Sequence, residues 1–136
     1  MTSGKQHIKV LMAKTGIEAH DVGIKFVSRV LRDAGMEVVL LGTRQTAEKV
    51  VEAALEEDVD VLGLSFHSPT YKETCSRVLQ LLKERNAQPL LVIGGSILRE
   101  DIPELKDIGV AQVFAADTPP DTIINFIRQN VKAASA

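Results

Sequence analysis

Five short apolar runs, at residues 8–13, 38–41, 61–64, 90–93 and 110–114, alternate along the chain with five longer stretches of mixed polarity. The runs are dominated by Val, Ile and Leu. Nearly continuous runs of that kind suit strands buried on both faces of a parallel sheet, whereas a strand with one wet face alternates. The intervening stretches, at residues 21–34, 46–57, 70–86, 100–108 and 120–131, predict helices. In the first of them Val22, Phe26, Val27, Val30 and Leu31 form an apolar stripe against polar Lys25, Ser28, Arg29 and Arg32, the pattern of a helix lying on a core. Gly35 ends that helix as a C-cap, and Gly109 does the same before the fifth strand. Thr46, ahead of Lys49 and Val50, opens the second helix, and Pro120 stands in the first turn of the last. Five strand–helix units in 136 residues predict a single doubly wound α/β domain over residues 1–136. Its five-stranded parallel sheet carries helices on both faces. Fraying is expected only at residues 2–6 and 132–136.

In such a sheet, ligands bind outside the carboxyl ends of the strands, where the strand order reverses. The loops expected there are unusual. The first carries Lys14, Gly16, Glu18 and His20; the third strand leads into Ser65-Phe66-His67-Ser68-Pro69; the fourth ends in Gly94-Gly95-Ser96; the fifth leads into Ala115-Ala116-Asp117-Thr118-Pro119. Small and hydroxylated residues therefore gather on one rim, where backbone can approach a large flat ligand. His20 falls just past a buried strand and just before a helix, a good place for a metal ligand. Glu18 can reach its second ring nitrogen, and carboxylates in that position fix the tautomer and orientation of a metal-bound imidazole. A lone loop histidine is more often a plain surface residue, and the neighbouring loops lift His20 above that reading.

Composition removes several other readings. A net charge of −2 without any Lys/Arg block argues against nucleic acid, and 4% aromatics leave little for a base-stacking surface. One cysteine, Cys75, excludes an internal disulfide and fits a reducing cytoplasm. Its place inside a predicted helix gives it a packing role rather than a nucleophilic one. The apolar runs are far shorter than the roughly 20 residues of a membrane span. Ser65 and His67 invite a nucleophile–base pairing, but no orienting acid or nucleophile elbow accompanies them. Gly94-Gly95-Ser96 without a phosphate-loop lysine or a G-x-G-x-x-G element is a weak phosphate signal. His7 belongs to the amino end of the sheet, away from the rim, and Glu56-Glu57-Asp58 reads as a solvated helix end.

Three elements on the rim form a pattern: Glu18-Ala19-His20-Asp21-Val22-Gly23 after the first strand, Ser65-Phe66-His67 after the third, and Gly94-Gly95 after the fourth. Flanking them are Leu31-Arg32-Asp33-Ala34-Gly35, Glu57-Asp58-Val59-Asp60-Val61 and Asp101-Ile102-Pro103-Glu104-Leu105. Over nearly the whole chain this resembles the D-x-H-x-x-G, S-x-L and G-G pattern of the cobalamin-binding domain of the methylmalonyl-CoA mutase family. The resemblance implies a flavodoxin-like sheet in strand order 2-1-3-4-5, with adenosylcobalamin as cofactor. By position, His20 would be the lower axial ligand of cobalt, Glu18 its hydrogen-bond partner, and Lys14 the partner of Glu18. Ser65 would hydrogen-bond the buried dimethylbenzimidazole tail. Gly94 and Gly95 would let backbone pass close to the corrin, and Phe114 and Thr118 would line the far wall. Thr15, Gly16, Ile17, Ala19, Asp21, Val22, Gly23 and His67 complete the cofactor-binding set that it implies. It also implies a separate large barrel subunit that binds the acyl-CoA, with no catalytic group in this chain beyond the cobalt ligand.

The chain departs from that family pattern at identifiable places. Glu18 replaces aspartate, His67 and Pro69 replace leucine and a small residue, and Ala115-Ala116-Asp117 replaces a G-P-G turn. Residues 117–120 look more like the small subunit of 2-hydroxyisobutyryl-CoA mutase. Two alternatives come from other classes. A corrinoid methyl carrier has a helical domain ahead of the sheet, and only seven residues precede the first strand here. A receiver-like interaction domain without cofactor needs acidic residues at the ends of the first and third strands, where Lys14 and Ser65 stand.

Overall fold

The computed structural model describes residues 7–15, 22–42, 44–115 and 117–131. Strands β1 (Lys9–Lys14), β2 (Glu37–Leu40), β3 (Val61–Phe66), β4 (Leu90–Gly95) and β5 (Gln112–Phe114) alternate with helices α1 (Val22–Asp33), α2 (Ala47–Glu57), α3 (Tyr71–Glu84), α4 (Ile102–Ile108) and α5 (Pro120–Asn130). A 3₁₀ turn, Arg99–Asp101, leads into α4. The strands form one sheet in the order β2-β1-β3-β4-β5, with every pairing parallel, as expected.

Local signals explain the element ends. Thr46 sits in extended conformation and its hydroxyl accepts from the Lys49 N–H at 3.1 Å, capping α2. Gly35 ends α1 with φ +93°, a value an L side chain resists. The acidic end of α2 is more than a solvated tail. Asp58 takes a left-handed turn, and Glu57 receives the Lys9 ammonium at 2.7 Å.

Two boundaries move, with consequences for the rim. The apolar pattern stops at residues 64 and 93, yet β3 and β4 continue through Phe66 and Gly95. Both are interior strands, so their backbone groups find ladder partners whatever the side chains are. Lys14 likewise belongs to β1 rather than to the loop after it. β5 starts two residues later than the apolar run from residue 110 suggests.

Period-two alternation divides the interior into two cores. Leu11, Ala13, Leu62, Leu64, Leu91 and Ile93 face α2, α3 and α4, whose Val50, Ala54, Val78, Leu82 and Leu105 close over them. Val10, Met12, Val61, Val92 and Phe114 face α1 and α5, meeting Ile24, Leu31, Ile123 and Ile127. Among the described residues, no helix is long and apolar enough to cross a membrane.

Cys75 lies in the first core, on α3, wholly buried, and burial pushes its thiol pKa up to about 12. At pH 8 the native protein is expected to resist a thiol-disulfide reagent, while the urea-unfolded chain reacts within seconds. Rapid native labelling would contradict this placement.

Candidate functional site

The parallel register sets four residues side by side across the sheet near its carboxyl edge. Lys14 pairs with Ser65, Ser65 with Gly94, and Gly94 with Phe114. One pleat back, Met12 pairs with Gly63 and Gly63 with Val92. Alternation puts both rows on the α1–α5 face. On that face β3 and β4 therefore present Gly63, Ser65 and Gly94 where branched side chains fill the opposite face.

A cavity of about 620 Å³ lies above this stretch of sheet, inside the ordinary range for small-molecule sites. Met12, Gly63, Ser65 and Gly94 contribute to its floor, Val27 and Val30 of α1 one wall, and Ile123 and Ile127 of α5 the other. The glycines are needed at close quarters. A Cβ at Gly63 would come 2.5 Å from the Met12 sulfur, and one at Gly94 would come 3.2 Å from the Phe114 carbonyl oxygen. Among the described lining residues, only Ser65, His67 and Thr118 have polar side chains. The cavity suits a largely apolar group that needs few hydrogen bonds.

Its rim is held rigidly. Gly95 has φ +108°, and a Cβ there would fall 2.0 Å from the Phe66 carbonyl oxygen, the oxygen that accepts from the Ser96 N–H at 2.9 Å. Phe66 packs edge to face on Tyr71, with ring centroids 6.2 Å apart. The Tyr71 hydroxyl, on a side chain only 2% exposed, accepts from the Leu98 N–H at 3.2 Å and donates to Asp101. Lys72 joins Asp101 at 2.9 Å and Glu104 at 3.0 Å. The Tyr71 hydrogen bond, followed by that from Lys72, holds the Asp101 carboxyl below its ordinary pKa. Hydrogen bonding to Asp101, with burial adding, holds the Tyr71 phenol above its own. On the β5 side, the Thr118 hydroxyl donates to the Ala115 carbonyl at 2.7 Å.

Of the candidates named from sequence, Gly23, Ser65, His67, Gly94, Gly95, Phe114 and Thr118 line this one cavity. Lys14 is wholly buried beside Ser65 in the cross-sheet row but is not among the lining residues. Thr15 makes a parallel bridge with Gln45 beyond the end of β1. Gly16, Ile17, Glu18, Ala19, His20 and Asp21 lie outside the described residues, as does the side chain of Val22. His7 stands at the opposite edge, 3.1 Å from Glu37. Sequence reasoning missed the apolar walls, Phe26, Val27 and Val30 on α1 and Ile123 and Ile127 on α5. Each of them reads in sequence as part of an ordinary amphipathic stripe, so no local signal marked it as a cavity wall.

Comparison with known proteins assigns the class. The B12 binding domain family matches residues 8–130. The chain belongs to that family. It is 45% identical over 130 residues to the 2-hydroxyisobutanoyl-CoA mutase small subunit of Aquincola tertiaricarbonis, covering 95% of this chain and 96% of that one. It is 31% identical over 116 residues to the fused isobutyryl-CoA mutase of Geobacillus kaustophilus, covering 83% of this chain but only 11% of that protein. In fold it is similar to a cobalamin-binding protein from Desulfitobacterium hafniense, with a TM-score of 0.75 and 18% identity over 89% of this chain and 60% of the other.

Two outcomes follow from the rim. Gly95→Ala combines a strained φ with a backbone collision and should destabilise by at least about 1–3 kcal/mol in urea denaturation. Near-native stability would show that this turn tolerates a side chain. Tyr71→Phe should cost about 1–2 kcal/mol by the same measurement. Because the folded Asp101 pKa is depressed, its contribution is present above the unfolded value near 4 and is lost as pH falls through the lower folded value. Wild type should therefore lose this contribution below about pH 4, and Tyr71→Phe should lose less. Parallel acid-unfolding curves for the two proteins would remove Asp101 from the account.

Proposed function

We propose that this chain is the cobalamin-binding small subunit of an adenosylcobalamin-dependent acyl-CoA mutase. The cavity over Gly63, Ser65 and Gly94 carries the reading, because it offers the cofactor's nucleotide tail an apolar site at the carboxyl edge of the sheet. Glycine at 63 and 94 lets the floor pack against the Met12 side chain and the Phe114 carbonyl, where a Cβ would crowd both. Similarity along almost the whole length of a 2-hydroxyisobutanoyl-CoA mutase small subunit supports the same assignment. Residues 1–136 form one cobalamin-binding domain in this proposal.

The chemistry supplied by bound adenosylcobalamin is radical isomerisation of the acyl-CoA carbon skeleton. The chain's own residues bind, orient and exclude water. The walls from α1 and α5 exclude water from the tail, and Ser65 offers it a hydroxyl at the floor. His20 would hold the cobalt and Glu18 would fix its ring. Lys14 is fully buried, and a buried ammonium is tolerated only beside an anion; Glu18, four residues on, is the proposed one. In this proposal Thr15, Gly16, Ile17, Ala19 and Asp21, with Val22 and Gly23 at the start of α1, complete the set of residues that would contact the cofactor. Substrate is bound by a large barrel subunit docked on the carboxyl edge of the sheet, which closes the reactive face against water. The chain's match to only 11% of a fused mutase supports a large partner. Residence in the cytoplasm accords with the lone, buried thiol of Cys75.

Purified chain mixed with adenosylcobalamin and its large partner should isomerise an acyl-CoA only when all three are present. In that assembly, His20→Ala should lower turnover more than Glu18→Ala, whose loss should be about 10–100-fold. Normal binding and turnover by His20→Ala would refute the ligand assignment. A chain that accepts a methyl group from a corrinoid methyltransferase, and supports no isomerisation, would belong to the carrier class instead.

A further inference from the structure

Phe26 is unlike the other aromatic residues of this chain. Phe66 and Phe114 are buried, Phe126 packs edge to face on Phe114 at 5.7 Å, and Tyr71 is buried. Phe26 is 57% exposed on α1, yet it lines the cavity. A half-exposed phenylalanine gains little from the fold, and at the edge of the cavity an occupant of the slot would cover more of it. Met12, Val27 and Val30 give that occupant apolar neighbours, and polar side chains in the described lining are confined to Ser65, His67 and Thr118. A flat aromatic group is the occupant that gains most, since a phenyl ring stacks on it or meets it edge to face.

We propose that Phe26 is the cover of the slot, closing over the aromatic base of the corrinoid's nucleotide tail and making the chain selective for tailed corrinoids. This rests on the cobalamin-binding reading above. Phe26 touches the base and not the corrin ring, so its contribution is absent for a corrinoid that lacks the tail. Its position on the outer part of α1, away from the buried Ile24 and Leu31, leaves the fold independent of it.

Equilibrium dialysis of the full-length chain, Phe26→Ala and Phe26→Leu against adenosylcobalamin and tail-less adenosylcobinamide tests this. Phe26→Ala should raise the Kd for adenosylcobalamin about tenfold, equivalent to about 1.4 kcal/mol, and Phe26→Leu by less. Adenosylcobinamide affinity and the thermal melting point should be unchanged in both variants. Equal weakening toward the two corrinoids, or no change toward either, overturns the proposal while leaving cobalamin binding intact. A variant that binds cobalamin normally but loses self-association in sedimentation also overturns it, because Phe26 then packs on a second copy. If wild type takes up neither corrinoid, the cobalamin reading itself fails, and this inference goes with it.

Discussion

The site depends on side chains that are missing from the middle of a parallel sheet. β3 and β4 are central strands, and on the α2–α3–α4 side they bury Leu62, Leu64, Leu91 and Ile93. On the α1–α5 side the same strands offer Val61 and Val92 to the core but only Gly63, Ser65 and Gly94 to the cavity. The register lines these positions up between Met12, Lys14 and Phe114. An empty apolar volume in that place forfeits dispersion contacts, and an occupant restores them. Binding energy is thereby built into the fold as incomplete packing.

Opposite requirements meet at the rim. The slot must be open, yet its edge must stay fixed if a large cofactor is to be held at one height. Gly95 meets the second requirement by folding back on Phe66, and Tyr71 extends it by tying Leu98 and Asp101 to the start of α3. These contacts reach from the rim into the fully packed core, through Phe66 and Cys75. The floor and rim are thus stiff, while the helical walls carry the adjustable apolar surface. A preorganised site of this kind loses less entropy on binding than one that must be assembled around its ligand.

Charge is used sparingly and locally. Among the described residues, pairs such as Arg77 with Glu48 and Arg85 with Glu52 join exposed groups, and such pairs contribute little to stability. Lys14 goes furthest from solvent, a wholly buried lysine in the cross-sheet row beside Ser65. Desolvating an ammonium is costly, so a lysine buried at this carboxyl edge has to be compensated locally.

The alternation of apolar runs with amphipathic stretches determined the element order, the parallel sheet and helices on both faces, because both periodicities are local properties of the chain. Gly35, Thr46 and Pro120 marked helix ends for the same reason. The pattern of His20, Ser65, Gly94 and Gly95 pointed to the family because those residues keep a characteristic spacing. Strand ends at Ser65 and Gly94 were misjudged, since ladder pairing is a property of neighbouring strands and not of hydropathy. The slot itself was decided only in three dimensions. Val27 and Ile127 are 100 residues apart, and each reads as an ordinary member of an amphipathic helix. They become facing walls because long-range packing sets α1 and α5 over the same glycine-bearing strip of sheet.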